Sequence, residues 1–209
     1  MAPKLVVCDH PLIQEKLADL RDKHTRPEEF RLLMEEVAAL IGYEALRNIR
    51  TRKTQVQTPI KAAPAEFVDQ PVSMVAVLRA GLGMLSGLLR LVPDASVGHI
   101  GLYRNDETLN PVRYYVRLPK DIADSFVVLC DPMLATGGSA VEAINILKTD
   151  GARQIILVTL LSSRQGIKRV HDAHPSVAIY TAAVDAQLNK MGYIVPGLGD
   201  AGDRLFATT

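Results

Sequence analysis

The stretch VVLCDPMLATGGSAVEAI, residues 127–144, joins an apolar run, an acid, a small-residue turn and a helical pattern. Its first four residues are continuously apolar, as in a strand that is buried on both faces of a parallel sheet. Asp131 follows this strand, and Gly137-Gly138 precede the helical segment. Because ligands of open α/β sheets lie at the carboxyl ends of the strands, the stretch predicts a ligand-binding loop.

The glycine turn favours a phosphate as the ligand. Thr136-Gly137-Gly138-Ser139 opens the helix, where unpaired N–H groups and the helix dipole attract an anion. The segment lacks the lysine of a Walker A loop, which argues against an NTPase. A phosphomonoester would fit the turn, and Asp131 can accept hydrogen bonds from sugar hydroxyls, so a 5-phosphorylated ribose suits both features. A helix that is merely capped by Ser139 is the alternative that this pattern leaves open.

Alternating strands and helices predict an α/β fold with a mostly parallel central sheet flanked by helices, in a single domain over residues 1–209. Strands are expected at residues 72–78, 97–103, 112–118, 126–130, 154–161 and 177–181. Helices are expected from a capping box at residues 25–28 to about Ile49, and at residues 83–91, 138–150 and 164–173.

Composition and charge narrow the functional classes. The 209-residue chain has 48% hydrophobic residues and a formal net charge of +1, which gives no overall attraction to nucleic acid or to an anionic membrane. The two cysteines make no disulfide framework, and Cys130 is expected to be a buried hydrophobe. No signal peptide and no long apolar span are recognisable. We therefore expect a cytoplasmic protein without a membrane or nucleic-acid partner.

Two regions, residues 103–121 and the carboxyl-terminal tail, depart from the alternating pattern of strands and helices. Residues 103–121 are polar and are expected to leave the sheet as a two-stranded flap. The basic run at residues 47–53 is interpreted as a helix C-terminus, with a nucleotide or nucleic-acid patch as the alternative. His171 and His174 are expected on a solvated helix face. The carboxyl-terminal tail is irregular but is expected to pack through Tyr193, Ile194, Val195, Leu198, Leu205 and Phe206.

Arg79 is a second candidate ligand residue. It stands between a buried strand and the turn Gly81-Leu82-Gly83, and burial in the core would leave its charge unpaired. We therefore expect it to face the ligand crevice, where it would suit a second anion such as pyrophosphate. A structural ion pair is the alternative. A dinucleotide fingerprint is disfavoured, because Ser86 stands where its third glycine would be.

These motifs together resemble a known family. VVLCDPMLATGGSA resembles the 5-phosphoribosyl 1-pyrophosphate (PRPP) loop of type I phosphoribosyltransferases, and residues 131–139 resemble the uracil phosphoribosyltransferases in particular. LRAGLGM, YRNDETLNPVRYYVRLP, GYIVPGLGDAGDRLF and LRDKHTRPEEFRLLMEEVAALIGYEA are also similar to that family, in the same order. One departure from the wider type I pattern is Cys130, where many relatives have a second acid, so that Asp131 alone is left for the ribose.

The resemblance implies the type I fold with a base-binding hood at residues 185–209, and a pentosyltransferase that makes UMP and pyrophosphate from uracil and PRPP in pyrimidine salvage. It implies Mg²⁺ carried by PRPP without a direct protein ligand, a flap that closes over PRPP, a GTP effector and a homodimer or higher homo-oligomer. Arg104 and Asp131 are the implied catalytic residues, and Ile194, Gly199, Asp200 and Ala201 the implied uracil-binding residues. The implied PRPP-binding residues are Arg79, Arg104, Asp131, Pro132, Met133, Leu134, Ala135, Thr136, Gly137, Gly138, Ser139 and Asp200, the last also facing Mg²⁺ through water.

Two other readings remain open from the residues. A regulator built on the same fold would bind nucleic acid through a basic surface, which the near-neutral charge disfavours. An enzyme of the same fold could instead use a purine or orotate, although the tail favours uracil.

Overall fold

The computed structural model describes residues 4–104 and 111–208, without the side chains of Arg104 and Pro111. Its helices are α1 (Pro11–Arg21), α2 (Pro27–Ala45), α3 (Leu82–Leu91), α4 (Gly138–Thr149), α5 (Arg164–Ala173) and α6 (Ala201–Phe206). Its strands are β1 (Leu5–Val7), β2 (Thr51–Gln57), β3 (Ala62–Val68), β4 (Val72–Leu78), β5 (Ser96–Arg104), β6 (Pro111–Arg117), β7 (Phe126–Cys130), β8 (Met133–Leu134), β9 (Gln154–Ser163), β10 (Ala178–Asp185), β11 (Gln187–Leu188) and β12 (Ile194–Val195).

A mostly parallel sheet forms the centre of the described chain, as the sequence predicts. Its order is β1-β10-β9-β7-β4-β5-β6, and β8 adds to β9. Every pairing in it is parallel except β5 with β6. Because β4, β5, β7, β9 and β10 run in the same direction, the residues that follow them meet at one edge.

Helices cover both faces of this sheet, and successive strand residues alternate between two cores. In β7, Val128 and Cys130 pack with α1, α2 and α3, whereas Val127 and Leu129 pack with α4 and α5. Cys130 is fully buried, as expected. The apolar runs of β4 and β7 are explained by this two-sided burial.

The first long helix is shorter than predicted at its carboxyl end. The predicted capping box is absent, because the Thr25 hydroxyl donates to the Asp19 carbonyl (2.5 Å) and α2 begins at Pro27 without a side-chain cap. The helix ends at Ala45, and Ile49 is already extended (φ −64°, ψ 143°). A 3₁₀ turn at Leu46–Asn48 follows the helix and carries Arg47 in its last turn, and the chain then enters β2. The basic run therefore begins at a helix terminus but continues into a strand.

The strands β2 and β3 form a separate antiparallel hairpin that the sequence patterns did not reveal. Most of its side chains are exposed, so it lacks the alternation of buried and polar residues that marks a half-buried strand. Two cations of the basic run pair with acids: Arg52 with Asp69, just after β3, at 3.4 Å, and Lys53 with Glu66 of β3 at 3.9 Å. Surface pairs of this kind contribute little stability, on the order of 0.2–1 kcal/mol.

The predicted flap is present as the antiparallel pair β5–β6, but both strands belong to the edge of the main sheet. Residues 105–110, which connect the two strands along the chain, lie outside the described residues. In the tail, Ile194, Leu198 and Leu205 are buried as expected. Tyr193, Val195 and Phe206, through which the tail was also expected to pack, are 41%, 41% and 39% exposed. No helix within residues 4–104 and 111–208 has the length and apolarity that a membrane crossing requires.

Candidate active site

The loop after β7 has the geometry of an anion cradle. Gly137 caps α4 with a positive φ of 79°, and a Cβ atom there would lie 2.9 Å from the Gly166 carbonyl oxygen. Only glycine fits this turn without strain. The turn directs the start of α4 toward a cavity of about 200 Å³ that we call the loop cavity. Among the residues that line it are Thr136, Gly137, Gly138 and Ser139, at the positive end of a 12-residue helix.

The loop itself is held to the neighbouring elements. Its short strand β8 pairs with β9, opposite Leu161 and Ser162. The Ser163 hydroxyl donates to the Ala135 carbonyl oxygen at 2.5 Å and accepts from the Gly166 N–H at 2.8 Å. The loop is therefore preorganised by β9 and by the first turn of α5.

A second cavity, of about 370 Å³, lies between this loop and the tail, and we call it the tail cavity. The loop contributes Asp131, Met133 and Ala135 to its lining. The tail contributes Met191, Gly192, Tyr193, Ile194, Gly199, Asp200, Ala201 and Gly202. All four residues predicted to bind uracil are among them.

Asp131 lines both cavities, together with Ala80, Met133 and Ala135. Burial raises the pKa of its carboxyl group to about 7, and a hydrogen bond from the Met133 N–H (3.4 Å to Oδ1) opposes this rise. Burying a carboxylate with so few donors is costly, and a ligand that supplies hydroxyl donors would compensate. The carboxyl group is thus placed for a polyhydroxy ligand that spans the two cavities.

Arg79 lines the loop cavity and also forms an ion pair, which was the alternative interpretation of this residue. Its Nη2 lies 3.2 Å from Asp203 Oδ1, and its guanidinium stacks over Phe206 at 5.7 Å from the ring centroid. The Arg79 side chain is 55% exposed. Because such an exposed pair contributes little, an anionic ligand can compete for this guanidinium. Arg104 is the last residue of β5, and its side chain lies outside the described residues.

Asp200 has a structural role as well as a place in the tail cavity. It is the N-cap of α6, and its Oδ1 accepts a hydrogen bond from the Asp203 N–H at 2.9 Å. The residue is exposed. Its carboxylate therefore has acceptor capacity left for a ligand or for water.

Arg169 is a cation near the phosphate loop that the sequence patterns did not single out. It belongs to α5, and a Cβ atom on Gly138 would lie 3.5 Å from its Nη1. The neighbouring Lys168 instead pairs with Asp172 at 2.6 Å. Arg169 therefore adds positive potential at the glycine turn, and Lys168 does not. The sequence does not distinguish the two cations, because the difference depends on how α5 packs against the start of α4.

The carboxylates of the site could contribute ligands to a magnesium ion that is also held by substrate phosphates. Within the described ranges, no group of three His, Cys, Asp or Glu side chains could hold a metal. Mg²⁺ typically keeps several waters and binds through one or two carboxylates and substrate phosphates. Asp131 and Asp200 both line the tail cavity and fit that second role.

The comparisons with known proteins agree with this arrangement. A family model described as "Uracil phosphoribosyltransferase" matches residues 6–208. Curated proteins named uracil phosphoribosyltransferase, from Clostridium kluyveri and Dictyoglomus turgidum, are 54% and 53% identical to this chain. Each match covers 98% of this chain and 99% of the relative.

Solved structures show the same fold. The AQ2163 protein from Aquifex aeolicus is 38% identical, with a TM-score of 0.92 over 98% of this chain and 99% of that chain. A hypoxanthine-guanine phosphoribosyltransferase from Bacillus anthracis superposes with a TM-score of 0.53 at 11% identity, covering 76% and 80% of the two chains, which shows a likeness of fold alone. The chain belongs to the uracil phosphoribosyltransferase family.

Proposed function

We propose that the chain transfers the 5-phosphoribosyl group of PRPP to uracil, releasing pyrophosphate and making UMP for pyrimidine salvage. The observation that carries this proposal is that the loop cavity and the tail cavity adjoin at Asp131. A ribose phosphate held by the loop and a base held by the tail would meet there. The family membership supports the same pentosyltransferase reaction.

The residue roles follow from this placement. The backbone and hydroxyls of Thr136 to Ser139 hold the 5-phosphate, and Asp131 accepts hydrogen bonds from the ribose hydroxyls. Pro132, Met133, Leu134 and Ala135 shape the loop between them. Backbone groups of Ile194, Gly199 and Ala201, with Asp200, recognise the polar edge of uracil. An unmatched donor in a buried site can cost as much as ~10⁴–10⁵ in selectivity, so this edge would reject cytosine.

The chemistry needs cations and positioning more than a protein nucleophile. The bond from C1 of the ribose to the pyrophosphate oxygen breaks, the bond from C1 to N1 of uracil forms, and the N1 proton is released. Negative charge grows on the leaving pyrophosphate, where Arg79 and Arg104 stabilise it. Mg²⁺, when bound with PRPP, would neutralise further charge on the same phosphates.

The flap expected from the sequence at residues 103–121 is proposed to close over PRPP and to exclude water from the reactive sugar. We treat residues 1–209 as one domain, with the hood at residues 185–209 as its base-binding part. A cytoplasmic location, a GTP effector and a homodimer or higher homo-oligomer are carried over from the sequence and the family resemblance. GTP titration of the activity and sedimentation of the purified protein would test the last two.

A base panel tests the proposal. Pyrophosphate release is measured with PRPP and Mg²⁺ against uracil, cytosine, thymine, orotate, hypoxanthine and adenine. Release with uracil alone, with UMP as co-product, is expected. Release with a different base would overturn the assignment of the tail. A protein that binds PRPP but releases pyrophosphate with no base would favour the nucleic-acid-binding regulator, which salt-dependent RNA binding would then support.

A further inference from the structure

A partly buried ion pair lies behind the tail cavity. Arg21, in the last turn of α1, donates from Nη1 and Nη2 to the two carboxylate oxygens of Asp185, each at 2.8 Å. Asp185 ends β10 and is only 8% exposed. Two parallel bonds of this kind fix the orientation of both side chains, which a lysine could not do.

This Arg21–Asp185 pair forms hydrogen bonds with both backbone groups of Gly197 in the tail. The Gly197 N–H donates to Asp185 Oδ2 at 3.0 Å, and Arg21 Nη1 donates to the Gly197 carbonyl oxygen at 2.8 Å. Gly197 has a positive φ of 63°, and a Cβ atom there would lie 2.1 Å from the Ile194 carbonyl oxygen. The pair therefore fixes a tight turn that only glycine can make.

A second arginine holds the next residue of the turn. Arg204 Nη1 donates to the Leu198 carbonyl oxygen at 2.9 Å and to the Leu20 carbonyl oxygen. Its Nη2 donates to the Asp22 carbonyl oxygen at 2.5 Å, and its guanidinium stacks on Phe30 at 4.4 Å from the ring centroid. The end of α1 and the residue after it thus form a platform under residues 197 and 198.

The turn lies between the two groups of residues that we propose to contact uracil. Ile194 precedes Gly197 by three residues, and Gly199 follows it by two. Arg21 and Asp185 are absent from the described lining of the tail cavity, so they can act on a base only through the backbone. We infer that Arg21 and Asp185 are positioning residues that set the spacing of the uracil-recognising backbone and thereby the selectivity for the base. This inference rests on the proposed function.

The electrostatics of the Arg21–Asp185 pair favour the ionised form of Asp185. The hydrogen bond from Arg21 lowers the pKa of the Asp185 carboxyl group, with burial opposing and the Gly197 N–H adding to the effect. The pair consequently stays ionised under weakly acidic conditions. Removing one partner outright would strand a partly buried charge and endanger folding, so conservative variants are needed.

Arg21→Lys keeps the positive charge but loses the two-pronged geometry, and Asp185→Asn keeps an acceptor for the Gly197 N–H but loses the charge. For each variant that folds like the wild type by circular dichroism, we expect KM for uracil to rise about tenfold or more. The rate ratio of uracil to cytosine should fall, and the Kd for PRPP with Mg²⁺ should change by less than about twofold. Lys16→Ala is the matched control, because it removes an ion pair to Glu36 from the same helix without touching the tail.

The outcomes separate this inference from the proposed function. A wild type that makes UMP, with variants that lose uracil affinity and selectivity but retain PRPP binding, supports it. Variants with wild-type KM for uracil and wild-type selectivity, or with PRPP and uracil affinity weakened equally, overturn it. If both variants fail to fold, the pair acts as a general structural element and the inference is overturned as well. A wild type without activity toward uracil refutes the proposed function instead.

Discussion

Asp131→Asn is expected to stabilise the protein while it weakens catalysis. Burial raises the pKa of this carboxyl group from 3.8 to about 7. Between those values the unfolded chain carries an ionised carboxylate and the folded protein a neutral one, so this group lowers folding stability as pH rises toward 7. A shift of about three units corresponds to about 4 kcal/mol above pH 7, and we expect about 2–4 kcal/mol because the adjoining cavities admit water. Asparagine is neutral at every pH and can still accept from the Met133 N–H.

The assay is urea and thermal unfolding of the wild type and the variant at pH 4.5 and at pH 8. The stability difference should be small at the lower pH and full at the higher one, where it would raise Tm by roughly 4–12 °C. Asp124→Asn, at an exposed carboxylate, is the matched control. Activity should fall about 10- to 100-fold, the cost of a hydrogen bond to a charged group. A gain in stability that is absent, or that is equal at both pH values, would refute the reasoning.

Two further predictions concern the phosphate loop. Arg169→Ala should raise KM for PRPP about two- to fivefold, because an exposed cation beside Gly138 adds a modest positive potential. Lys168→Ala is the control and should leave KM for PRPP unchanged, because the Lys168 side chain pairs with Asp172. Equal effects of the two substitutions on KM would contradict this prediction. Gly137→Ala should cost roughly 1–3 kcal/mol of stability and weaken PRPP binding about tenfold or more, because its φ is positive and the Gly166 carbonyl blocks a Cβ. Denaturant unfolding and calorimetry with PRPP would measure both effects, and wild-type values would show that the turn has room for a side chain.

The buried strands of the central sheet could be predicted from the sequence, because burial on both faces requires an uninterrupted run of apolar residues. β4, β7 and β9 read as continuous apolar runs because both faces of the sheet are covered, and their bounds were predicted to within about two residues. The hairpin β2–β3 was missed because its exposed side chains carry no periodic signal. His174 was expected to be solvated but is buried, because α5 packs on α4 and the His174 Nδ1 lies 3.0 Å from Lys148 Nζ.

In the candidate site, too, features with a local sequence signal were predictable and contacts between distant residues were not. The anion cradle was predictable because a glycine turn at the start of a helix has a local signature. The hydrogen bonds of Arg21 and Asp185 to Gly197 were not predictable, because Arg21 lies 164 positions from Asp185 and 176 positions from Gly197 along the chain. Nor could the sequence show that Arg79 pairs with Asp203, 124 positions away. The residue roles themselves remain predictions.

A crystal structure with UMP would test the central claim most directly, because one ligand must then span both cavities. The account predicts the 5-phosphate on the N–H groups at Thr136 to Ser139, the ribose hydroxyls on Asp131, and the polar edge of uracil on the backbone at Ile194 and Gly199 to Ala201. A phosphate bound away from the start of α4, or a base outside the tail cavity, would contradict it.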